Sequence, residues 1–111
     1  MTLRVTMTEV AEARLREILD WTETRFGPMQ TDRYRDTLLS RFDALAAGTA
    51  HCRTCDLLTG LPEDAALEMT RAGEHVIVFR RAPDEIRIVD FLHARSDIPA
   101  QIQRITETDI D

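Results

Sequence analysis

Few side chains in this chain could carry chemistry. His93 closes an apolar run, Arg95 follows two residues on, and Arg71 and Arg87 belong to neighbouring segments. Histidine exchanges a proton near neutral pH, and an arginine fork holds a phosphate or carboxylate through paired hydrogen bonds. Metal-free cleavage of an RNA backbone needs those parts: a base for the 2′-hydroxyl, an acid for the leaving oxygen and cations for the developing charge. His93 would serve as acid or base, and Arg95 or Arg71 would hold the phosphate. Glu68, Glu74 and Asp90 surround this set with negative charge, which opposes RNA. The structural alternative is that His93 bonds backbone at a strand end and Arg95 pairs with Asp97.

A second cluster is His51, Cys52 and Cys55. A lone Cys-x-x-Cys could be half a zinc site or a redox pair. A tetrahedral zinc site needs four ligands and no second cysteine pair exists, so two incidental thiols are expected, with no cofactor or metal.

The chain has 111 residues, enough for one domain, with 14 basic and 20 acidic residues and a net charge of −6. Every basic residue other than histidine is arginine. The acidic balance argues against broad nucleic-acid binding, which needs a basic face to release phosphate counterions. No apolar run approaches the roughly 20 residues that span a bilayer, and the start MTLRVTMTEV lacks the features of a secretory signal. The expected setting is the cytoplasm.

The elements that must position these side chains follow from periodicity. Residues 2–6 alternate as a short strand does. Thr8 is placed to cap a helix, with Glu9 and Glu12 at the positive end of its dipole. Ala11, Leu15, Ile18 and Thr22 recur on one face, and Leu19 and Phe26 widen that stripe. Gly27-Pro28 stops this helix and starts another, whose stripe is Thr31, Tyr34, Leu38, Phe42 and Leu45; Gly48 ends it. So short a break turns the helices back into a hairpin. Residues 49–64 read as loop with an extended piece around 56–59, and 65–71 as an outer strand. Strands follow at 75–81 and 85–92, joined by a turn at Ala82-Pro83-Asp84. Strict alternation in the last strand puts Ile86, Ile88 and Leu92 on one face and Arg87, Val89 and Phe91 on the other. Both faces are apolar, so the side away from the hairpin should meet something else. Residues 98–105 read as a short terminal helix or strap, and 106–111 as a polar tail beyond a single domain at 1–105. The fold class is α+β, β-α-α-β-β-β, a helical hairpin on a small, mainly antiparallel sheet.

That order and these residues resemble the ParE branch of the ParE/RelE toxin superfamily over residues 3–102. The features are a Thr-capped first helix with Ala11, Leu15, Ile18 and Trp21, the break Phe26-Gly27-Pro28, Tyr34 and Leu38 on the second helix, the strand with Gly73, His75, Val76, Ile77 and Phe79, and the ending Leu92, His93 and Asp97. The chain departs from the pattern at Asp90, where the last strand usually carries Arg, and at Leu67-Glu68-Met69, where the preceding strand is usually basic. The resemblance implies a toxin of a type II toxin–antitoxin module, neutralised by a ParD-like antitoxin and acting on DNA gyrase through protein contact. It implies no sequence-specific nucleic-acid binding by the chain itself. The alternatives are a RelE-like mRNA endonuclease using His93, Arg95 and Arg71, or an inactive member. Leu15, Leu19, Trp21, Phe26, Val89 and Phe91 would bind antitoxin; His93, Arg95 and Asp97 would bind the target.

Overall fold

A computed structural model describes residues 2–55 and 67–108. Strand β1 (Arg4–Met7) leads into helix α1 (Glu9–Phe26), helix α2 (Pro28–Ala47), a two-residue strand β2 (Arg53–Thr54), strands β3 (Glu68–Ala72), β4 (His75–Arg81) and β5 (Glu85–His93), and helix α3 (Ile98–Thr108). The five strands form one sheet in the order β1-β5-β4-β3-β2. Only β1 runs parallel to its neighbour, β5; the other pairs are antiparallel. The extended piece expected at 56–59 lies outside the described residues; among the described residues of the loop, Arg53–Thr54 form a strand.

The helix boundaries follow local chemistry. The Thr8 hydroxyl accepts the Ala11 amide at 3.1 Å and donates to the Val89 carbonyl at 3.2 Å. One side chain thereby caps α1 and ties its start to β5. Gly27 ends α1 and precedes α2 at φ 85°, a conformation open to glycine and costly for other residues. Its N–H donates to the Glu23 carbonyl, and Pro28 fills the first position of α2, where a missing N–H costs nothing. With one residue between them, the helices form a hairpin over the sheet.

That hairpin covers one face. Ala11, Ile18, Leu38, Phe42 and Leu45 from the helices bury against Ile77, Phe79, Ile86, Ile88 and Phe91 of the sheet. The opposite face carries a second core, in which Val76, Val78, Val89 and Leu92 pack with Leu67, Met69, Cys55 and Ile102 of α3. The apolar second face is therefore met by the chain's own terminal helix, which continues to Thr108, past the boundary expected at residue 105.

Strict alternation fails along β5. Val78 pairs with Asp90 but Phe79 pairs with Ile88, leaving Val89 as an extra residue. Such a bulge resets which side the following residues face. Phe91 therefore joins Ile86 and Ile88 beneath the hairpin, and Leu92 joins Val89 on the other side. Asp90, at the bulge, is 6 % exposed. Its Oδ1 accepts the Phe91 amide at 2.8 Å and meets the Arg14 guanidinium at 3.3 Å. The departure noted at this position thus satisfies a backbone donor and a cation where the ladder is interrupted.

Candidate functional site: an aromatic groove ending at a histidine pair

The outer side of α1 and the start of α2 meet the far ends of β4 and β5 around a groove of about 520 Å3. Trp21 and Phe26 line it from α1, Tyr34 from α2, and His75 and His93 from the sheet. Trp21 is 57 % exposed and Phe26 60 %, large values for aromatic side chains. They stand edge to face with centroids 6.0 Å apart, and the Arg25 guanidinium lies 5.1 Å from the Trp21 ring centre. These rings hold their positions through each other and the arginine, and their apolar faces remain open to a partner.

The floor at the other end is polar and knitted together. The Tyr34 hydroxyl accepts the Glu74 amide at 3.1 Å, lies 3.4 Å from the Ala72 carbonyl, and makes a short hydrogen bond with Nδ1 of His75. A tight turn brings these groups together. Gly73 has φ 60°, and a Cβ there would stand 2.6 Å from a Tyr34 ring carbon. Burial lowers the pKa of His75 from its ordinary 6.5, and the neighbouring His93 lowers it further. Burial also pushes the Tyr34 phenol up. The two imidazoles lie 5.5 Å apart, edge to face. His93 Nδ1 accepts the Arg95 amide at 3.1 Å, which leaves Nε2 as the protonated nitrogen of the neutral ring.

The residues singled out by sequence divide sharply. Trp21 and Phe26 line the groove, as does His93. Leu15 is half-buried and packs against the hairpin-side core, and Leu19 is half-buried on α1. Phe91 lies beneath the hairpin at 2 % exposure and Val89 under α3 at 6 %, so neither is offered to a partner in this conformation. The bulge and the terminal helix are the physical reasons. His93 does bond backbone at its strand end, but Asp97 does not pair with Arg95. Its carboxylate accepts the Ala100 amide at 3.3 Å and caps α3. Of the runner-up catalytic set, His93 lines the aromatic groove and Arg71 lines a cleft with Met69 and Val76 of the other core, while its Nε–H reaches the Gly73 carbonyl at the turn beside Tyr34. Sequence reasoning missed Tyr34 and Glu74 as groove residues. Tyr34 sat in the apolar stripe of α2, and nothing local signals that its hydroxyl reaches a turn some forty residues away.

The cysteines part in the same way. Cys52 packs toward the hairpin-side core and Cys55 toward the other. They flank β2 three residues apart, and side chains at odd separations along a strand point to opposite faces. Burial raises the Cys52 pKa, and its thiol donates to the Ala50 carbonyl at 3.4 Å. Arg81, which precedes the turn into β5, pairs with Glu68 across the sheet.

Comparison with known proteins agrees with this architecture. Residues 5–98 match the family model of the ParE toxin of the type II toxin–antitoxin system parDE. Toxin ParE1 of Mycobacterium tuberculosis, from strain CDC 1551 / Oshkosh and from strain ATCC 25618 / H37Rv, is 30 % identical over 99 residues, covering 88 % of this chain and 96 % of the relative. A solved chain of a chromosomal ParDE toxin–antitoxin system from P. aeruginosa superposes with a TM-score of 0.65. Its identity is 17 %, and the match covers 85 % of this chain and 98 % of that one. The chain belongs to the ParE toxin family of type II toxin–antitoxin systems. Among the described residues no helix is long and apolar enough to cross a membrane.

Proposed function

We propose that this toxin acts in the bacterial cytoplasm by protein contact, inhibiting DNA gyrase, and that a ParD-like antitoxin neutralises it by filling the aromatic groove. The carrying observation is that Trp21 and Phe26 stand exposed on the same groove whose far end is His93. An amphipathic segment fits such a groove by seating apolar anchors between the rings. If the target is engaged through His93, Arg95 and Asp97 at the adjoining strand end, an antitoxin in the groove covers His93 and blocks access. Neutralisation then needs no change of fold.

Expression of the chain alone should arrest bacterial growth, and the purified chain should inhibit gyrase supercoiling. Co-expression of the antitoxin should restore growth. The double substitution Trp21→Ala/Phe26→Ala should keep the arrest and lose the rescue. Growth that continues unimpaired at high expression would overturn the toxic activity, and rescue undiminished by the double substitution would overturn the groove as the antitoxin's seat. New transcript ends after induction, abolished by His93→Ala, would replace gyrase with mRNA.

A further inference from the structure

A cleft beside the second core is charged in the opposite sense to the whole chain. Arg41 of α2, His51, Arg53 of β2 and Arg71 of β3 line a space of about 310 Å3, and among the described residues no acidic side chain lines it. This occurs in a chain with a net charge of −6. Strand pairing creates the convergence. Arg53 stands opposite Met69, and Arg71, two residues further along β3, faces the same side of the sheet. The Thr70 hydroxyl donates to the His51 carbonyl at 2.8 Å and holds the connection against β3. Arg71 spends its Nε–H on the Gly73 carbonyl at 2.9 Å. Among the described residues, ion pairs engage Arg4, Arg14, Arg35 and Arg81 but none of the three arginines of the cleft. Met69, Val76 and Ile98 supply an aliphatic lining between the charges.

We propose that this cleft docks an acidic peptide segment of a partner protein, in which an aliphatic side chain sits between carboxylates held by Arg41, Arg53 and Arg71. Guanidinium forks suit carboxylates and phosphates alike, so the rest of the lining decides. Among the described residues no Phe, Tyr or Trp lines the cleft, the usual platforms on which single-stranded nucleic acid stacks, and His51 is the one ring there. The aliphatic residues offer nothing to a sugar–phosphate backbone. A long polyanion, with a charge every ~1.7 Å for duplex DNA, must also approach the chain's net negative charge, whereas a peptide with a few carboxylates meets far less repulsion. This site is separate from the aromatic groove and stands whichever partner fills that groove.

The test uses the isotopically labelled whole chain and two capped synthetic peptides, Asp-Leu-Glu-Leu-Asp and its uncharged counterpart Asn-Leu-Gln-Leu-Asn. Nuclear magnetic resonance would follow the arginine Nε–H signals and the amides of Val76 and Ile98. The acidic peptide should shift the signals of Arg53, Arg71 and Ile98; the uncharged one should not. Arg53→Ala/Arg71→Ala should weaken binding at least about tenfold, as expected from losing hydrogen bonds to charged groups, while Arg16→Ala/Arg33→Ala on the exposed helix surfaces should leave it unchanged. Circular dichroism reports whether the double variant folds, and Arg71→Gln alone provides a milder version with a smaller loss in the same direction. The proposal fails if neither peptide binds, if both bind equally, if the shifts fall outside the cleft, or if a short single-stranded DNA binds there more tightly than the acidic peptide.

Discussion

The two faces of the sheet are both apolar but are buried by different means. The hairpin face is covered by two helices of 18 and 20 residues, and its core includes Phe79, Phe91, Leu38, Leu45, Ile77, Ile86 and Ile88 at 2 % exposure or less. The other face is covered by the 11-residue α3, whose contribution is Ile102 with Ile98 and Ile105 at its flanks. The hairpin is anchored to the sheet at several points, through Thr8 on β5, Leu3 on Ala46 and Tyr34 at the Gly73 turn. Each extra point of attachment makes local opening more costly. Among the described residues the hairpin face thus has the more extensive cover, and the aromatic groove and the arginine cleft both border it.

Truncating core side chains tests the two faces most severely. Phe91→Ala should cost about 3–5 kcal/mol and Ile102→Ala about 2–4 kcal/mol, the usual ranges for buried aromatic and aliphatic residues. Urea denaturation measures both, and a larger loss for Ile102→Ala would reverse the ranking of the faces. The Gly73 turn sharpens the point at which the hairpin meets the sheet. Gly73→Ala forces a methyl group into the Tyr34 ring at a left-handed φ and should cost about 1–3 kcal/mol. Tyr34→Leu in the same background should recover part of that loss, because it removes the ring carbon that collides. The cap comes next: Thr8→Ala removes the acceptor of the Ala11 amide and should cost about 1 kcal/mol in thermal or urea unfolding.

The smallest effect concerns pH. The folded protein holds the pKa of His75 below 6.5, so the unfolded chain binds a proton first. The histidine's contribution to stability is thus complete above 6.5 and declines as pH falls through that value toward the folded pKa. His75→Asn retains an acceptor near the Tyr34 hydroxyl without a titrating ring. It should flatten this part of the stability–pH curve, and an unchanged slope would remove His75 as its source.

Much of the architecture was visible in residue order. Thr8, Gly27-Pro28 and Gly48 mark helix ends through backbone needs that are local, and the β-branched runs around Ile77 and Ile88 mark strands. The groove was half visible. Trp21, Phe26 and His93 stood out by type, but their meeting depends on the hairpin lying across the strand ends, and the part played by Tyr34 depends on the Gly73 turn. Phe91 and Leu92 exchange faces because one inserted residue at a bulge changes the facing of everything after it, and no residue type announces a bulge; Val89 keeps the face its spacing gives and is covered there by α3.

Residue order alone fixes where the chain bends and which segments bury a face, because caps, turn residues and hydrophobic period act over a few neighbouring positions. That α3 lies on the second face, that the two thiols part, that Asp90 caps a bulge and that His93 and Arg71 line different recesses emerges from the folded chain alone. Those outcomes depend on register and on contacts between segments far apart in the chain, which local residue types do not encode.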